Sequence, residues 1–374
     1  MLPRHVYVHV PFCARRCSYC DFAIAVRREV PVDEYVGAVR RELALRFPGG
    51  EEWRAETLYL GGGTPSRLGG EGVARLLDLL RERIALDAGA EVTIEANPED
   101  VDLETARRWR DAGVNRISLG SQSFDDRVLA WMHRVHSASR IGEAVDAIRA
   151  AGIGNLSLDL IFALPEALGR DWERDVAGAL ALAPDHLSLY GLTVESHTPL
   201  GRWRERGAVE EASEERYERE FLHAHDALAA AGLEHYEVSN FGRPGWHSRH
   251  NRSYWRGVAY AGLGPGAHEL SLGSVPRRRW NAGAYAAWVR ALAEGRDPVE
   301  GEDTLTEENL VAEEVYLGLR TTEGLRPRPG EEGMVGAWVE AGWGRVEDGV
   351  LRLTPLGWLR LDALSAALTV SRSR

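Results

Sequence analysis

The chain has 374 residues, of which 44% are hydrophobic and 27% charged, and these values are those of an ordinary globular protein of two or three domains. Its formal net charge of −12 argues against a nucleic-acid partner, because proteins that bind phosphate backbones usually carry a basic face. The sequence contains no lysine, which excludes a Schiff-base lysine and a P-loop lysine.

No segment of the sequence predicts insertion into a membrane. No apolar run reaches the roughly 18 residues that a membrane span needs. The first predicted strand begins close to the N-terminus, so we expect no signal or transit peptide. We therefore expect a cytoplasmic protein whose membrane contact, if it has any, is peripheral.

Short apolar, β-branched runs alternate with amphipathic stretches over the first two-thirds of the chain. This alternation predicts a parallel sheet with right-handed helical crossovers. Six strand–helix units are fewer than the eight of a closed barrel, so the predicted fold is α/β, a partial (β/α)6 barrel. The predicted strands are residues 6–10, 57–61, 91–96, 116–121, 156–162 and 186–193, and the predicted helices lie near residues 33–46, 71–84, 102–112, 138–151, 170–182 and 213–231.

The only three cysteines of the chain, Cys13, Cys17 and Cys20, form a C-x3-C-x2-C motif just after the first predicted strand. Three thiolates on one short loop can hold three irons of a [4Fe-4S] cluster and leave the fourth iron open. An open iron suits the amino and carboxylate groups of S-adenosylmethionine (SAM), whose sulfonium could then accept an electron and start radical chemistry. The alternatives are a zinc site, which usually takes four protein ligands, or three buried structural thiols.

Polar and glycine residues follow the next two predicted strands. The run Gly61–Pro65, which reads GGGTP, lets the backbone approach a ligand closely, although such a run is often only a tight turn. Glu95 ends the third strand, where its carboxylate could bind an ammonium group or a ribose, or lie in solvent as a strand-end charge. Because ligands of such folds bind at the carboxyl ends of the strands, we expect these residues to lie beside the cysteine loop.

Three further polar residues belong to the fourth and fifth strand units. Gln122 ends the fourth strand and Arg134 follows it. Asp159 lies within the apolar run Leu158–Phe162 and needs a partner if it is buried. Arg134 could be that partner, or both side chains could contact the ligand, and the residues alone leave the two possibilities equal.

The pattern changes after residue 232 and predicts two further units. We expect a barrel at residues 1–232, an extension at 233–300 and a small winged-helix-like C-terminal domain at 301–374. The extension is predicted to contain a strand at 234–241, a loop at 242–279 and a helix at 281–296, followed by a linker at 296–308. The C-terminal domain is predicted to contain helices at 310–319 and 336–341, a hairpin at 346–353 with its turn at Asp-Gly, and a helix capped by Thr354.

The predicted loop contains the segment His250-Asn-Arg-Ser-Tyr-Trp255, flanked by His247 and His268. A histidine beside flat aromatic side chains and glycines can be a haem ligand and its wall. The alternative is a histidine that is hydrogen-bonded within its loop, with Tyr254 and Trp255 in the core, and the segment alone favours this alternative.

Taken together, these motifs resemble the radical SAM superfamily. Within it they are similar to the group of oxygen-independent coproporphyrinogen III dehydrogenases and haem chaperones. The resemblance rests on the Y-x-H-x-P-F-C-x3-C-x-Y-C, G-G-G-T-P, E-x-N-P and S-Q-S-F segments and extends over nearly the whole chain. It implies a [4Fe-4S] cluster on the three cysteines, SAM on its open iron, and adenine stacked on Tyr19. The other cofactor contacts that it implies are Tyr7, Gly62, Gly63, Thr64, Glu95, Gln122, Arg134 and Asp159.

Three features favour the haem chaperones over the dehydrogenases. The dehydrogenases have a further cysteine two residues after the third, where this chain has Phe22. They carry a long N-terminal arm, which we expect this chain to lack because Cys13 lies so close to the first residue. The chaperones carry an H-N-x-x-Y-W segment, matched here from His250 to Trp255. The glycine run 264–266 departs slightly from the group's pattern and leaves the role of His268 open.

The resemblance therefore implies that the protein binds haem through His250 and delivers it to respiratory cytochromes, which it could meet at the membrane surface. The alternative function is the oxidative decarboxylation of coproporphyrinogen III by hydrogen abstraction, which we expect to be absent. Nothing in the residues identifies the donor of the haem.

Overall fold

The computed structural model describes residues 2–373, in which a single sheet of 12 strands organises the chain as far as Thr304. Two smaller sheets contain two strands each. The strands are β1 (His5–Val10), β2 (Phe12–Cys13), β3 (Ala25–Val26), β4 (Trp53–Gly62), β5 (Ile84–Ala96), β6 (Arg116–Gln122), β7 (Asn155–Phe162), β8 (His186–Gly191), β9 (Glu234–Glu237), β10 (Asn240–Gly242), β11 (Tyr260–Leu263), β12 (His268–Ser271), β13 (Arg277–Asn281), β14 (Val299–Thr304), β15 (Gly344–Glu347) and β16 (Val350–Leu353).

The helices alternate with the strands in the first part of the chain and cluster at its end. They are α1 (Val32–Arg46), α2 (Gly69–Arg81), α3 (Leu103–Asp111), α4 (Asp126–Trp131), α5 (Ala138–Ala150), α6 (Trp172–Ala181), α7 (Pro199–Glu205), α8 (Glu214–Ala230), α9 (Arg249–Trp255), α10 (Tyr285–Ala293), α11 (Glu307–Leu319), α12 (Glu332–Glu340), α13 (Pro355–Trp358) and α14 (Leu361–Arg372). Within residues 2–373, none of these helices combines the length and the apolar character that a membrane crossing requires.

The middle of the large sheet is parallel and contains all six predicted strands. β1, β4, β5, β6, β7 and β8 pair in chain order, and β11 pairs in parallel with the other side of β1. Val6, Val8 and Val10 of β1 are fully buried, and each such side chain contributes about 1.5–3 kcal/mol to folding. The prediction of an α/β fold built on a parallel sheet is therefore confirmed.

α2 illustrates how the helices cover the sheet. Val73, Leu76, Leu77 and Leu80 recur at helical spacing, and all four are buried in the main core. Arg75, between them in sequence, points to solvent and pairs with a carboxylate of α1. The hydrophobic face of the helix therefore fixes which side meets the sheet.

The chain after residue 232 is more regular than its sequence predicts. The predicted strand at 234–241 is two short antiparallel strands, β9 and β10. The predicted loop at 242–279 contains α9, β11, β12 and the start of β13, and the predicted linker contains β14, so both of these predictions are wrong. Strands β12, β13 and β14 pair antiparallel beyond β11 and form one side of the sheet.

Strands β13 and β14 escape prediction because of their polar composition. β13 begins with three consecutive arginines, and β14, at the edge of the sheet, exposes nearly every side chain. Charged residues are common on edge strands because they discourage pairing with other molecules. An edge strand of this kind therefore has the same composition as a linker.

The last part of the chain has the predicted order of helix, helix, hairpin and helix. β15 and β16 pair antiparallel, and the turn between them holds Asp348 at φ 53° and Gly349 at φ 71°. Two left-handed residues are what a two-residue hairpin turn requires, and Asp-Gly supplies them. Trp358 Nε1 donates to the Leu319 carbonyl at 3.0 Å and ties the final helices to α11. The division of the chain into three units stays a prediction.

Candidate functional site

The three cysteines lie on one loop at the carboxyl end of β1. Cys13 is buried, and Cys17 and Cys20 are partly exposed. The Ser18 amide donates to the Met132 carbonyl at 3.2 Å, which ties the loop to the segment after α4. The thiols therefore lie at the edge of the sheet where parallel α/β folds bind their ligands.

Two of the thiols have polar neighbours on other strand-end loops. Thr64 Oγ1 lies 3.4 Å from Cys13 Sγ, and Arg134 Nη1 donates to Cys17 Sγ at 3.7 Å. Burial raises the pKa of Cys13 and raises the pKa of Cys20 to about 11. At neutral pH these two thiols are protonated until a bound metal displaces the proton.

A first cavity of about 330 Å³ joins the cysteine loop to the carboxyl ends of the parallel strands. Its volume lies in the range of small-molecule sites. All three cysteines line it. The predicted cofactor contacts that line it are Tyr19, Gly62, Gly63, Thr64, Glu95, Gln122, Arg134 and Asp159. Tyr7 does not line this cavity but the neighbouring one.

Gly62 and Gly63 hold the end of β4 against the cysteine loop. A Cβ on Gly63 would lie 2.6 Å from the carbonyl carbon and oxygen of Pro11, and a Cβ on Gly62 would lie 2.5 Å from the His9 ring. The backbone of Gly62 also has φ +112°, a value that residues with a side chain rarely adopt. Side chains are therefore excluded here by the protein itself, rather than by a ligand alone.

Glu95 is held by two donors from the neighbouring strand. The Tyr59 hydroxyl donates to Oε1 at 2.9 Å, and the Gly62 amide donates to Oε2 at 3.0 Å. Burial raises the pKa of Glu95 to about 7, against the effect of these two hydrogen bonds. The carboxyl group therefore changes its charge near neutral pH.

Arg134 and Asp159 do not pair with each other. Arg134 Nη2 donates to Asn97 Oδ1 at 2.6 Å and to the Gly120 carbonyl at 2.9 Å. Asp159 accepts from Ser118 Oγ at 3.0 and 2.9 Å. The possibility that one side chain neutralises the other is wrong. Both line the first cavity, which agrees with the second possibility, that both contact a ligand.

Sequence reasoning missed several residues that position these groups. Asn97, Gly120 and Ser118 are such residues, and a Cβ on Gly120 would lie 2.9 Å from Gln122 Nε2 and 3.2 Å from Arg134 Nη2. The backbone of Gln122 has φ 65°, which is uncommon for a residue other than glycine. A signal existed for Asn97, because it directly follows the strand that Glu95 nearly ends. Ser118 gave no such signal, because its link to Asp159 runs between two strands that are far apart in sequence.

A second cavity of about 820 Å³ adjoins the first, and the two share Phe22 and Gly62 as lining residues. It lies between the end of β1, the antiparallel strands β11–β13 and helix α11. Its walls are largely aromatic and aliphatic, and they contain two histidines and one arginine. The residues that line it include Tyr7, His9, Tyr254, Trp255, Tyr260, His268, Leu270, Arg278, Ala312, Tyr316 and Leu317.

His250 is buried behind this cavity and offers no nitrogen to a ligand. His250 belongs to α9 and is only 1% exposed. Nδ1 bonds Thr57 Oγ1 at 2.7 Å, and Nε2 bonds the Tyr254 hydroxyl at 2.9 Å. Burial lowers the pKa of His250 to about 3, so the ring is neutral. The structure thus has the hydrogen-bonded histidine of the alternative interpretation, and the assignment of His250 as iron ligand stays a prediction, one that these two hydrogen bonds disfavour.

Comparison with known proteins identifies the family. Residues 7–179 match the family model described as the Radical SAM superfamily. Over 331 residues the chain is 38% identical to "Heme chaperone HemW" of Synechocystis sp., an alignment that covers 87% of this chain and 80% of the relative. Over 326 residues it is 40% identical to "Heme chaperone HemW" of Mycobacterium tuberculosis, with 86% and 83% covered. The chain belongs to the HemW family of radical SAM proteins.

A solved structure agrees with this assignment at the level of the fold. The coproporphyrinogen III oxidase HemN of Escherichia coli, described as a radical SAM enzyme, superposes with a TM-score of 0.81. The superposition covers 99% of this chain and 91% of that chain at 22% identity. This chain therefore has the HemN fold, and the likeness carries no information about the reaction.

The first cavity fits the cofactors that the radical SAM family implies, a [4Fe-4S] cluster and SAM. The three thiols line one cavity together with eight of the predicted SAM contacts. Cys13, Cys17 and Cys20 would hold the cluster, which when bound supplies an electron to the sulfonium of SAM. Glu95, Arg134 and Asp159 place charged and polar groups around the remaining space of the cavity.

Proposed function

We propose that this protein is a haem chaperone that carries a [4Fe-4S] cluster and SAM in the first cavity and haem at a separate place. The observation that carries the proposal is the second cavity, with about 820 Å³ of space behind an aromatic wall. The relatives to which this chain is 38% and 40% identical are named as haem chaperones, which supports the same conclusion.

The wall of the second cavity has the chemistry that haem needs. The porphyrin has two large apolar faces, and aromatic side chains cover such faces with little loss of conformational freedom. Tyr254 and Tyr260 meet edge to face with ring centroids 4.7 Å apart, and His250 fixes the Tyr254 hydroxyl from behind. In this arrangement His250 positions Tyr254, which is a residue of the cavity wall.

The residues of the first cavity have separate tasks in this proposal. The cysteines hold the cluster, and Arg134 donates a hydrogen bond to the Cys17 sulfur. Glu95 and Asp159 are carboxyl groups that can bind the hydroxyl and ammonium groups of SAM. Tyr19, Gly62, Gly63, Thr64 and Gln122 shape the rest of the space.

Phe22 distinguishes this function from the dehydrogenase alternative. The dehydrogenases that the chain resembles have a further cysteine at this position, whereas the Phe22 side chain is 57% exposed and borders both cavities. We propose that coproporphyrinogen III is not a substrate. We also propose, from the resemblance, that the haem passes in the cytoplasm to respiratory cytochromes, reached by peripheral contact with the membrane.

The test uses one anaerobic preparation of the reconstituted protein. We expect about four irons and four sulfides per chain, an electron paramagnetic resonance signal that changes on addition of SAM, and a Soret band that saturates near one haem per chain. Conversion of coproporphyrinogen III by the same sample, with SAM and an electron donor, would replace the chaperone proposal by the dehydrogenase. The absence of saturable haem binding would refute the chaperone proposal directly.

A further inference from the structure

The second cavity contains two histidines, His9 and His268, and only one has a nitrogen to offer. His9 Nδ1 bonds the Tyr7 hydroxyl at 3.1 Å, and His9 Nε2 bonds the Ala23 carbonyl at 2.9 Å. The His9 ring is 6% exposed, so a ligand could reach it only by breaking these bonds. His9 is therefore part of the wall.

His268 differs from His9 in every one of these respects. It lies on β12, its side chain is exposed, and within residues 2–373 its imidazole makes no hydrogen bond. The ring stacks on the cross-strand neighbour Trp280, with centroids 5.7 Å apart and planes at 21°. A ring that is oriented by stacking and leaves both nitrogens unoccupied is suited to coordinate a metal.

The other histidines near the H-N-x-x-Y-W segment are not available in this way. Both nitrogens of His250 are hydrogen-bonded within the protein. His247 lies 3.0 Å from the Glu234 carboxylate and stacks on Tyr236, away from the second cavity.

Arg278 adds a cation to the same cavity. Its Nη1 lies 2.9 Å from Glu313 Oε1 on α11, so the pair closes the cavity between the sheet and the C-terminal helices. Its Nε is buried, and within residues 2–373 it has no hydrogen-bond partner. The Arg278 side chain lines the second cavity and is 34% exposed, so a carboxylate can reach its guanidinium, and haem carries two propionates.

We infer that haem binds in the second cavity with its iron on His268, a propionate on Arg278 and its face against the wall of Tyr254 and Tyr260. This inference rests on the proposed haem-chaperone function and locates the haem in it. It places the iron on a residue of β12 rather than on the histidine of the H-N-x-x-Y-W segment in α9. The haem then lies next to the cysteine loop, separated from the first cavity by Phe22.

The axial ligand is tested with His268→Gly and, as a matched control, His197→Ala, which changes an exposed histidine outside both cavities. Ferric haem is titrated into the reconstituted full chain and the Soret band is recorded with and without free imidazole. We expect His268→Gly to shift the band and weaken binding about tenfold or more. Free imidazole should restore the parent spectrum in this variant, because it can occupy the space of the lost ring. His197→Ala should match the parent.

The propionate contact is tested by comparing haem with its dimethyl ester. In the parent protein we expect esterification to weaken binding about tenfold, since a hydrogen bond to a charged group is lost. In Arg278→Gln the two ligands should bind equally. Iron and sulfide content, measured in each variant, shows whether the protein has remained folded around its cluster.

The outcomes separate this inference from the proposed function. If the parent binds no haem, the chaperone function fails. If the parent binds haem and the His268→Gly spectrum is unchanged, the function stands and the location of the iron is wrong. If His268→Gly loses haem but Arg278→Gln still discriminates against the ester, the propionate lies elsewhere and that part of the inference is overturned.

Discussion

The two cavities lie side by side, yet they differ in the chemistry of their walls and in how far their polar groups are already hydrogen-bonded. In the first, the polar side chains already bind each other, as Glu95 does with Tyr59 and Arg134 with Asn97. In the second, the wall is mostly aromatic, and His268 and the Nε of Arg278 have no hydrogen-bond partner within residues 2–373. The first cavity is thus pre-organised for a ligand rich in hydrogen-bonding groups, and the second for a large apolar one with few polar contacts.

The two cavities also differ in the part of the sheet that forms them. The first lies at the carboxyl ends of parallel strands, which the αβ pattern of the sequence makes predictable. The second depends on antiparallel strands and on a helix from the C-terminal part of the chain. A change in one cavity can therefore leave the other intact, and the following variants test this independence.

The largest effect is expected from loss of a cluster ligand. Cys13→Ser, Cys17→Ser and Cys20→Ser should each reduce the iron content from about four atoms per chain to nearly none, because three protein thiolates are the minimum for an open cluster. Haem binding in the second cavity should persist in all three. The measurements are iron and sulfide analysis and a Soret titration on the same samples. Parallel loss of cluster and haem in these variants would show that the cavities are not independent.

His250→Ala should cause the largest loss of folding stability among the variants of the second cavity. It removes two hydrogen bonds and a fully buried ring that stacks on Tyr59 at 4.9 Å. We expect a loss of about 3–4 kcal/mol, from the void that the ring leaves and from the Tyr254 hydroxyl, which loses its hydrogen-bond partner. Denaturant unfolding of the apo protein measures it.

His268→Ala is the matched contrast to His250→Ala. It removes an exposed ring and should change stability by less than about 0.5 kcal/mol while altering the haem spectrum. His250→Ala should retain the spectrum of the histidine-ligated iron with weaker binding, because the ring positions Tyr254 and does not touch the iron. A reversal of these two patterns would return the iron to His250.

Gly63→Ala should destabilise the protein by about 1–3 kcal/mol, because its Cβ would lie 2.6 Å from the Pro11 backbone, which cannot move without moving the cysteine loop. The matched control is Gly142→Ala in α5, where a Cβ meets no atom within 4 Å. That control should stabilise the protein by about 0.5–1 kcal/mol through its effect on helix propensity. Thermal unfolding of the two apo variants distinguishes close packing from a general intolerance of substitution.

The degree to which the sequence predicts this molecule differs between the cavities for a physical reason. The cysteine loop, GGGTP and Glu95 lie within or directly after apolar strands, so their position at one edge follows from local pattern and parallel topology. His250 depends on Thr57, and Arg278 depends on Glu313, residues far away in sequence. No local pattern reports such contacts, and the polar strands β13 and β14 conceal the framework that creates them.

The smallest expected effect concerns the charge of Glu95, whose pKa burial raises from 4.5 to about 7. The folded apo protein then binds a proton that the unfolded chain has released, so this residue's contribution to stability is present below pH 4.5 and is lost as the pH rises through 7. SAM carries a positive sulfonium and should bind the ionised carboxylate better. Its affinity should therefore rise from pH 6 to pH 8, by less than about tenfold per unit.

Glu95→Gln removes the titration and keeps the shape of the side chain, including an oxygen for the Tyr59 hydroxyl. We expect its SAM affinity to be lower at pH 8 and to show a weaker pH dependence than that of the parent, measured by equilibrium binding to the reconstituted protein. Haem affinity, which belongs to the second cavity, should follow the same pH profile in both proteins. If Glu95→Gln retains the full rise in SAM affinity, another group causes it, and Asp159, whose carboxyl burial also gives a raised pKa, is the next to change.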